Sequence, residues 1–392
     1  MDIAEIRKHL PITEQLAYLN NAASGPLTRE TVEAIHRALE EREMLGSNWP
    51  VWIGHTVEAA ARFAQLVGSE KNEIATVPNL TTGLWAIALC LKTQRDQNIV
   101  LNDLEFPANV YPWIALKNAG RIGEIRMVRN TGGNIEAEKF AEAIDRKTAV
   151  VPLHYASSFN GHRPETKEIC KIAHENGAIV VSDAFQAVGL VPIDVKREGI
   201  DVLLSGVYKF LLGPSGIGFM YVDKNILPRF EIGIVGWGGI HSEIQEKLSR
   251  PYDYSTLRVA EDASRFNTGH FSVSASFGAE AALDFSLRHK VPEQFEQTQK
   301  RLVKRLIEGI GEIGLKLQSP NRLEKLGATV SVAAKDPEGT VSHLQKKRII
   351  VSWRYVPGVG PGIRISPHFY NTEEEVDRLI TALKQLSLQV KA

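Results

Sequence analysis

Apolar positions change period several times along the chain, and each change predicts an element. Glu30 to Leu45 carries its apolar residues at helical spacing behind Thr28, a hydroxyl residue suited to cap a helix N-terminus. Four short apolar runs follow: Ile99–Leu101, Ala149–Leu153, Ala178–Ser182 and Val202–Ser205. Each is bounded by polar or glycine residues and predicts a strand buried on both faces. Between the second and third lies the amphipathic stretch ETKEICKIAHENG, a predicted helix closed by Gly177. Phe219–Val222, behind the glycine-rich GPSGIG, predicts one more strand. Apolar strands alternating with helices of about ten to fifteen residues describe an α/β fold with a mostly parallel, helix-covered sheet.

From Ser272 the texture changes. Two long helical patterns, SVSASFGAEAALDFSLRHK and VPEQFEQTQKRLVKRLIEGIGEIG, precede strand-like TVSVAA, IIVSW and GIRISP and a last helix, TEEEVDRLITALKQL. The pattern predicts a large domain over residues 15–271 and a small C-terminal α+β domain over 272–392, with residues 1–14 packing on the latter. No repeat or low-complexity tract interrupts it.

Composition narrows the class. The chain has 392 residues, 43% of them apolar and 23% charged, which is the balance of a globular protein with a large core. Forty-six basic residues against 46 acidic ones provide no footprint for nucleic acid or an anionic membrane. Two cysteines make no disulfide framework. The opening MDIAEIRKHLP is charged and broken by Pro11, unlike a secretory signal, and no run approaches the ~18 apolar residues of a membrane span. A cytoplasmic enzyme is expected.

Two motif classes can be set aside. Gly309, Gly311 and Gly314 spell G-x-G-x-x-G, but a dinucleotide site needs those glycines where a strand turns into a helix. Here they follow the helical KRLVKRLIE and are expected to end that helix. The eleven histidines and two cysteines show no metal-ligand spacing. His154 and His162 have no third ligand nearby, so no metal is expected.

Candidate chemistry concentrates between Asp183 and Lys209. Asp183 ends the apolar run AIVVSD, at the C-terminal edge of the sheet where open α/β folds bind ligands. Lys209, in VLLSGVYKF, follows the next predicted strand and reaches the same edge. Taken singly, one is an acid capping a loop and the other a lysine on a surface turn. Together, with apolar neighbours around the lysine, they describe an amine of lowered pKa able to form a Schiff base with an aldehyde.

With these residues in place, the chain resembles the class V aminotransferase group of fold-type I enzymes that use pyridoxal 5′-phosphate (PLP). The resemblance runs through YLNNAASGPL, NLTTGL, EFPANVYPW, HYASSFNG, SDAFQA, SGVYKFLLGPSGIGF and RISPHFYNTEEEVD. It implies that Lys209 carries PLP as a Schiff base and that Asp183 pairs with the pyridine nitrogen. It places Gln186 beside the cofactor, Thr81, Thr82 and Tyr208 at its phosphate, and Phe106 against its ring. Ser157 or Ser158 falls near the ring hydroxyl, with Ser157 taken as the contact. His270 stands where the family often has a Thr that reaches the neighbouring subunit's phosphate, which implies a homodimer. Arg364 matches the arginine that holds the substrate α-carboxylate. Arg354 and Asn21 border the substrate.

The resemblance covers several reactions. Cysteine desulfurases use a cysteine on a mobile loop before the equivalent of Arg364, and the corresponding SWRYVPGVGPGIR has none. Cys90 and Cys170 both lie in helical patterns. Kynureninase is disfavoured because Asn109 stands where that enzyme has Asp. The expectation is transamination of an α-amino acid. The alternative is a β-eliminating C–S lyase acting on cystine or a cysteine S-conjugate, with epimerisation or a PLP-binding protein without turnover less favoured.

Overall fold

The computed structural model describes residues 2–241, 255 and 257–389. After the short strand β1 (Ala17–Tyr18), the strands β2 (Ile74–Val77), β3 (Asn98–Asn102), β4 (Glu124–Val128), β5 (Thr148–His154), β6 (Ile179–Asp183), β7 (Val202–Gly206) and β8 (Gly218–Val222) follow. The last seven form one sheet in the order β2-β8-β7-β6-β5-β3-β4, and β8 alone runs antiparallel to its neighbours.

The apolar runs are explained by what covers the sheet. Val100, Val151, Val180 and Leu203 enter a core shared with Phe63 of helix Trp49–Val67 and Ile169 of helix Thr166–Glu175. Their neighbours Leu101, Val150, Val181 and Leu204 enter a second core with Ile87 of helix Leu80–Cys90 and Trp113 of helix Tyr111–Asn118. Side chains alternate across a strand, so a strand between two cores must be apolar throughout. β4 lies at the sheet edge and reads EIRMV, and β2 is four residues long. Neither shows an uninterrupted apolar run, which is why the sequence pattern did not mark them.

Beyond the sheet, β9 (Val330–Ala333), β11 (Ser352–Val356) and β12 (Gly360–Ile365) form a three-stranded antiparallel sheet, and β10 (Ile349–Ile350) pairs with β1 instead. The predicted run IIVSW is therefore divided between two sheets. One face of the three-stranded sheet sends Val330, Val332, Ile363 and Ile365 into a core with helices Val291–Glu312 and Glu373–Gln389. The other face carries Ser331, Ser352, Arg354 and Arg364, and this polar face becomes important below.

The packing has no seam at residue 272. Helix Val273–Arg288, capped by Ser272, lies against helices Arg29–Leu45 and Trp49–Val67, and its Ala275, Ala279 and Leu283 join the core beneath the central sheet. Small residues on that helix allow the close approach. At the other end, β1 and Asn20 pair with β10 and Ser366, so the N-terminal segment is stitched to the C-terminal strands. Arg7 adds an ion pair to Glu375 at 3.0 Å. The glycines of the G-x-G-x-x-G pattern sit at the end of helix Val291–Glu312, and Gly314 has φ +70°, as a helix stop requires. Among the described residues, no helix is long and apolar enough to cross a membrane, and no cluster of His, Cys, Asp or Glu could hold a metal ion.

Candidate active site

Three neighbouring parallel strands bring the chemistry to one edge. β5 ends at His154 and β6 at Asp183, which are register partners, while Asp183 is also paired with Leu204 of β7. The segments leaving these strand ends carry Ser158, Phe185 and Gln186, and Tyr208 and Lys209. Thr81 at the start of helix Leu80–Cys90 and Phe106 after β3 complete the wall of a cavity of ≈ 160 Å³. Gly206 is required here: a Cβ on it would fall 2.5 Å from the Phe185 ring, which closes one side of the cavity.

Burial tunes the two central groups in opposite directions. The Lys209 amine lies over the Phe185 ring, 4.0 Å from its centroid. Desolvation lowers its pKa to about 8, opposed by the Asp183 charge and aided by Arg364 and Arg354. Asp183 is buried, and desolvation raises its pKa to about 6 against the Phe185 amide, which donates to Oδ1 at 3.0 Å. A lysine with an accessible free-amine form thus stands beside a carboxylate held on the floor of the same cavity. Such a pairing of perturbed groups marks a functional site.

The remaining wall residues divide by what their polar atoms do. Gln186 donates Nε2 to the Ala22 carbonyl at 3.1 Å, while its buried Oε1 has no hydrogen-bond partner. Tyr208 packs edge-on against Phe185 with ring centroids 4.8 Å apart. Phe106 is 45% exposed. Thr81 is exposed and lines the cavity. Thr82 does not line it: its amide and hydroxyl both donate to Asn79 Oδ1, at 2.9 and 3.1 Å, so it belongs to the helix cap.

Two other assigned residues, Ser157 and Asn21, point away from this cavity in the packing. Ser157 is fully buried and donates to the Leu104 carbonyl at 3.1 Å, whereas Ser158 lines the cavity. Asn21 is also fully buried, with Nδ2 on the Ser366 carbonyl and Oδ1 accepting from the Tyr370 hydroxyl. It anchors the segment that presents the Ala22 carbonyl to Gln186. The resemblance assigns His270 to the neighbouring subunit's cofactor, and in its own chain it lies away from this cavity. It stacks on Trp49 at 4.4 Å, in a separate depression of ≈ 1020 Å³ that Trp52 and Trp237 also line.

Phe185 and His154 are among the wall residues that went unassigned in the sequence. The edge-of-sheet argument that selected Asp183 applies equally to His154, its register partner. Behind His154, buried Glu105 accepts from His154 Nδ1 at 2.7 Å, from the His154 amide at 2.6 Å and from Asn102 and Asn109 at 2.6 and 2.8 Å. Asn109 therefore braces this buried carboxylate.

Arg364 sits on the polar face of the C-terminal sheet; it does not line the cavity but bonds to Ser158, which does. It is fully buried, donating Nε to Ser352 Oγ at 3.1 Å and Nη1 to the Ser158 carbonyl at 3.0 Å. Nη2 has no partner, and no carboxylate pairs with the guanidinium among the described residues. Desolvation, with the nearby Arg354 charge, lowers its pKa to about 9. A buried cation without a counter-ion is unfavourable unless an anion arrives.

The segment before Arg364 is a tight hairpin. β11 ends at Val356 and β12 begins at Gly360, so only Pro357, Gly358 and Val359 turn it, and Asn130 Nδ2 holds the Pro357 carbonyl at 3.0 Å. Cys90 and Cys170 are both free and buried, and burial pushes the Cys170 thiol pKa far up. Neither supplies a thiolate to the cavity.

The family profile for class V aminotransferases matches residues 17–379. The chain is similar to the uncharacterized aminotransferase YcbU of Bacillus subtilis, with 27% identity covering 96% of each chain. It is also similar to a probable cysteine desulfurase of Pyrococcus abyssi, with 25% identity covering 97% of each. A solved apo structure of cysteine desulfurase from Thermococcus onnurineus has the same fold, with a TM-score of 0.85 at 24% identity over 98% of this chain and 97% of that one.

Proposed function

The chain belongs to the class V aminotransferase family of enzymes, and from that premise we propose that it binds PLP and transaminates an α-amino acid. The observation that carries the proposal is the pairing of Lys209 and Asp183 in one cavity at the C-terminal edge of a parallel sheet. The donor set fits PLP: a buried amine with a lowered pKa, a buried carboxylate, an aromatic wall and an unsatisfied Gln186 Oε1. Thr81 and the N-terminus of helix Leu80–Cys90 suit its phosphate, since first-turn amides and the helix dipole favour an anion. Tyr208 borders the same cavity. Bound there, PLP supplies an electrophilic aldehyde and a ring that withdraws electrons from the substrate α-carbon.

The chain's own groups do the rest. Asp183, held by the Phe185 amide, keeps a proton on the ring nitrogen. Arg364 binds the substrate α-carboxylate through the guanidinium edge that has no internal partner, which orients the α-carbon towards Lys209. Lys209 Nζ would take the substrate α-proton as a general base; returning a proton to the α-carbon would give racemisation, and delivering it to the cofactor instead would give transamination. The neutral amine is accessible because burial has lowered its pKa.

Transamination predicts that an amino acid is converted to its 2-oxo acid, in equal amount to the amino group transferred to a second 2-oxo acid, without ammonia. Product analysis over a panel of amino acids checks this. Release of pyruvate and ammonia from L-cystine would support β-elimination instead. Sulfur transfer through a protein persulfide is disfavoured by the three-residue turn and the two buried thiols. Cys90→Ala/Cys170→Ala is expected to leave kcat/KM within about twofold of wild type, below ~0.5 kcal/mol. A loss of activity in the soluble, folded double variant would reopen the thiol mechanism. The exposed apolar side chains of Trp49, Ile53, Val57 and Trp237 around His270 support a homodimer, and the cytoplasm suits such an enzyme.

A further inference from the structure

We propose that Arg354 selects substrates carrying a second acidic group, so that the enzyme prefers four- and five-carbon dicarboxylic amino acids over their neutral counterparts. This rests on the reading of Arg364 as the α-carboxylate site and extends it to the side chain of the substrate.

The argument starts from the register of the C-terminal sheet. Ser352 is the cross-strand partner of Arg364, and Arg354 lies two residues further along β11, on the same face. The backbone positions of diagonal neighbours on one sheet face stand about 7–8 Å apart, near enough for two long arginine side chains to reach one small dicarboxylic acid. The face is otherwise neutral, with Ser331 and Ser352 flanking the arginines. Arg354 is exposed, and its one hydrogen bond runs from Nη1 to the adjacent Trp353 carbonyl at 2.8 Å. No acidic side chain pairs with it among the described residues.

Charge counting points the same way. The cavity wall holds one carboxylate, Asp183, which the cofactor ring occupies in the proposed function. A substrate α-carboxylate satisfies Arg364. Arg354 then remains as a positive charge near the reacting centre, close enough for its field to reach both Lys209 and Arg364. A neutral substrate side chain leaves it solvated. A second carboxylate gives it a charge-assisted partner, while an amide of the same shape offers a weaker neutral acceptor. Arg354 acts on specificity and takes no part in proton transfer.

The test compares matched pairs on the PLP-loaded protein. L-Aspartate and L-glutamate are expected to exceed L-asparagine and L-glutamine by about tenfold to a hundredfold in kcat/KM, carried mainly by KM. Arg354→Ala should bring each ratio towards one, and Arg354→Lys should restore part of it. Equal use of acid and amide, or a ratio unmoved by Arg354→Ala, overturns the proposal. Binding supplies a measurement independent of turnover: succinate and glutarate should raise the melting temperature more than butyrate at equal concentration, and Arg354→Ala should abolish the difference. If neutral amino acids are turned over and dicarboxylates bind no better than butyrate, the specificity proposal fails while the aminotransferase reading stands. If no amino acid is turned over yet the Arg354-dependent binding difference appears, the reverse holds.

Discussion

Lys209→Ala is expected to reduce turnover of any amino-acid substrate by a factor of at least about 10⁴, the upper range for a general base, because the substitution also removes the covalent anchor of the cofactor. The visible absorbance band of lysine-bound PLP should disappear with it. Retention of both band and turnover would move the chemistry to another amine. The wild-type protein allows a finer test of the same group. Only the neutral amine attacks an aldehyde, and burial places the Lys209 pKa at about 8. The rate at which the cofactor-free protein captures PLP should therefore rise with pH up to about 8 and then level. An unperturbed lysine would keep rising towards ~10.4.

The second large effect is expected at Arg364. Arg364→Met, which keeps most of the side-chain length, should raise KM for amino acids by about a hundredfold, the loss of one charge-assisted pair worth ~3 kcal/mol. The same substitution should not destabilise the substrate-free protein, and its melting temperature should stay level or rise. The reason is that Arg364 is buried without a carboxylate partner, and removing an uncompensated charge relieves a desolvation penalty. A structural arginine would behave in the opposite way, with a large loss of stability and a small change in KM. Arg364→Met also removes a positive charge that holds the Lys209 pKa down, so the pH at which PLP capture levels off should move upward. An unmoved profile would separate the two groups electrostatically.

Much of the fold was legible because burial on both faces leaves a plain signature. β5, β6 and β7 are runs of apolar residues, and nothing else in a chain of this composition accounts for them. β4 was hidden because an edge strand exposes charged residues, and its Glu124 and Arg126 broke the pattern. The helix Val273–Arg288 was legible as a helix, but its packing partners were not. Its small residues are compatible with many neighbours, and only the fold shows it against helices Arg29–Leu45 and Trp49–Val67.

The candidate site divides along the same line. Asp183 and Lys209 could be read from the sequence because each follows an apolar strand directly, and strand ends in a parallel sheet share one edge whatever the rest of the chain does. Both lie within a few residues of the element that places them. Ser157 against Ser158, Thr82 against Thr81, and Asn21 turn on which way a single side chain points. That direction depends on turn geometry and on distant partners: the Leu104 carbonyl for Ser157, Ser366 and Tyr370 for Asn21. His270 depends on packing against Trp49, more than two hundred residues earlier in the chain.

By itself, then, the sequence determined the strands buried on both faces and the edge to which they carry Asp183 and Lys209, because local periodicity marks such strands. Only the tertiary structure decided which neighbours reach the cavity and that Arg364 is buried with a free guanidinium edge. Those facts depend on contacts between segments far apart in the chain, and no local pattern of residues records which distant partner has already taken a hydrogen bond.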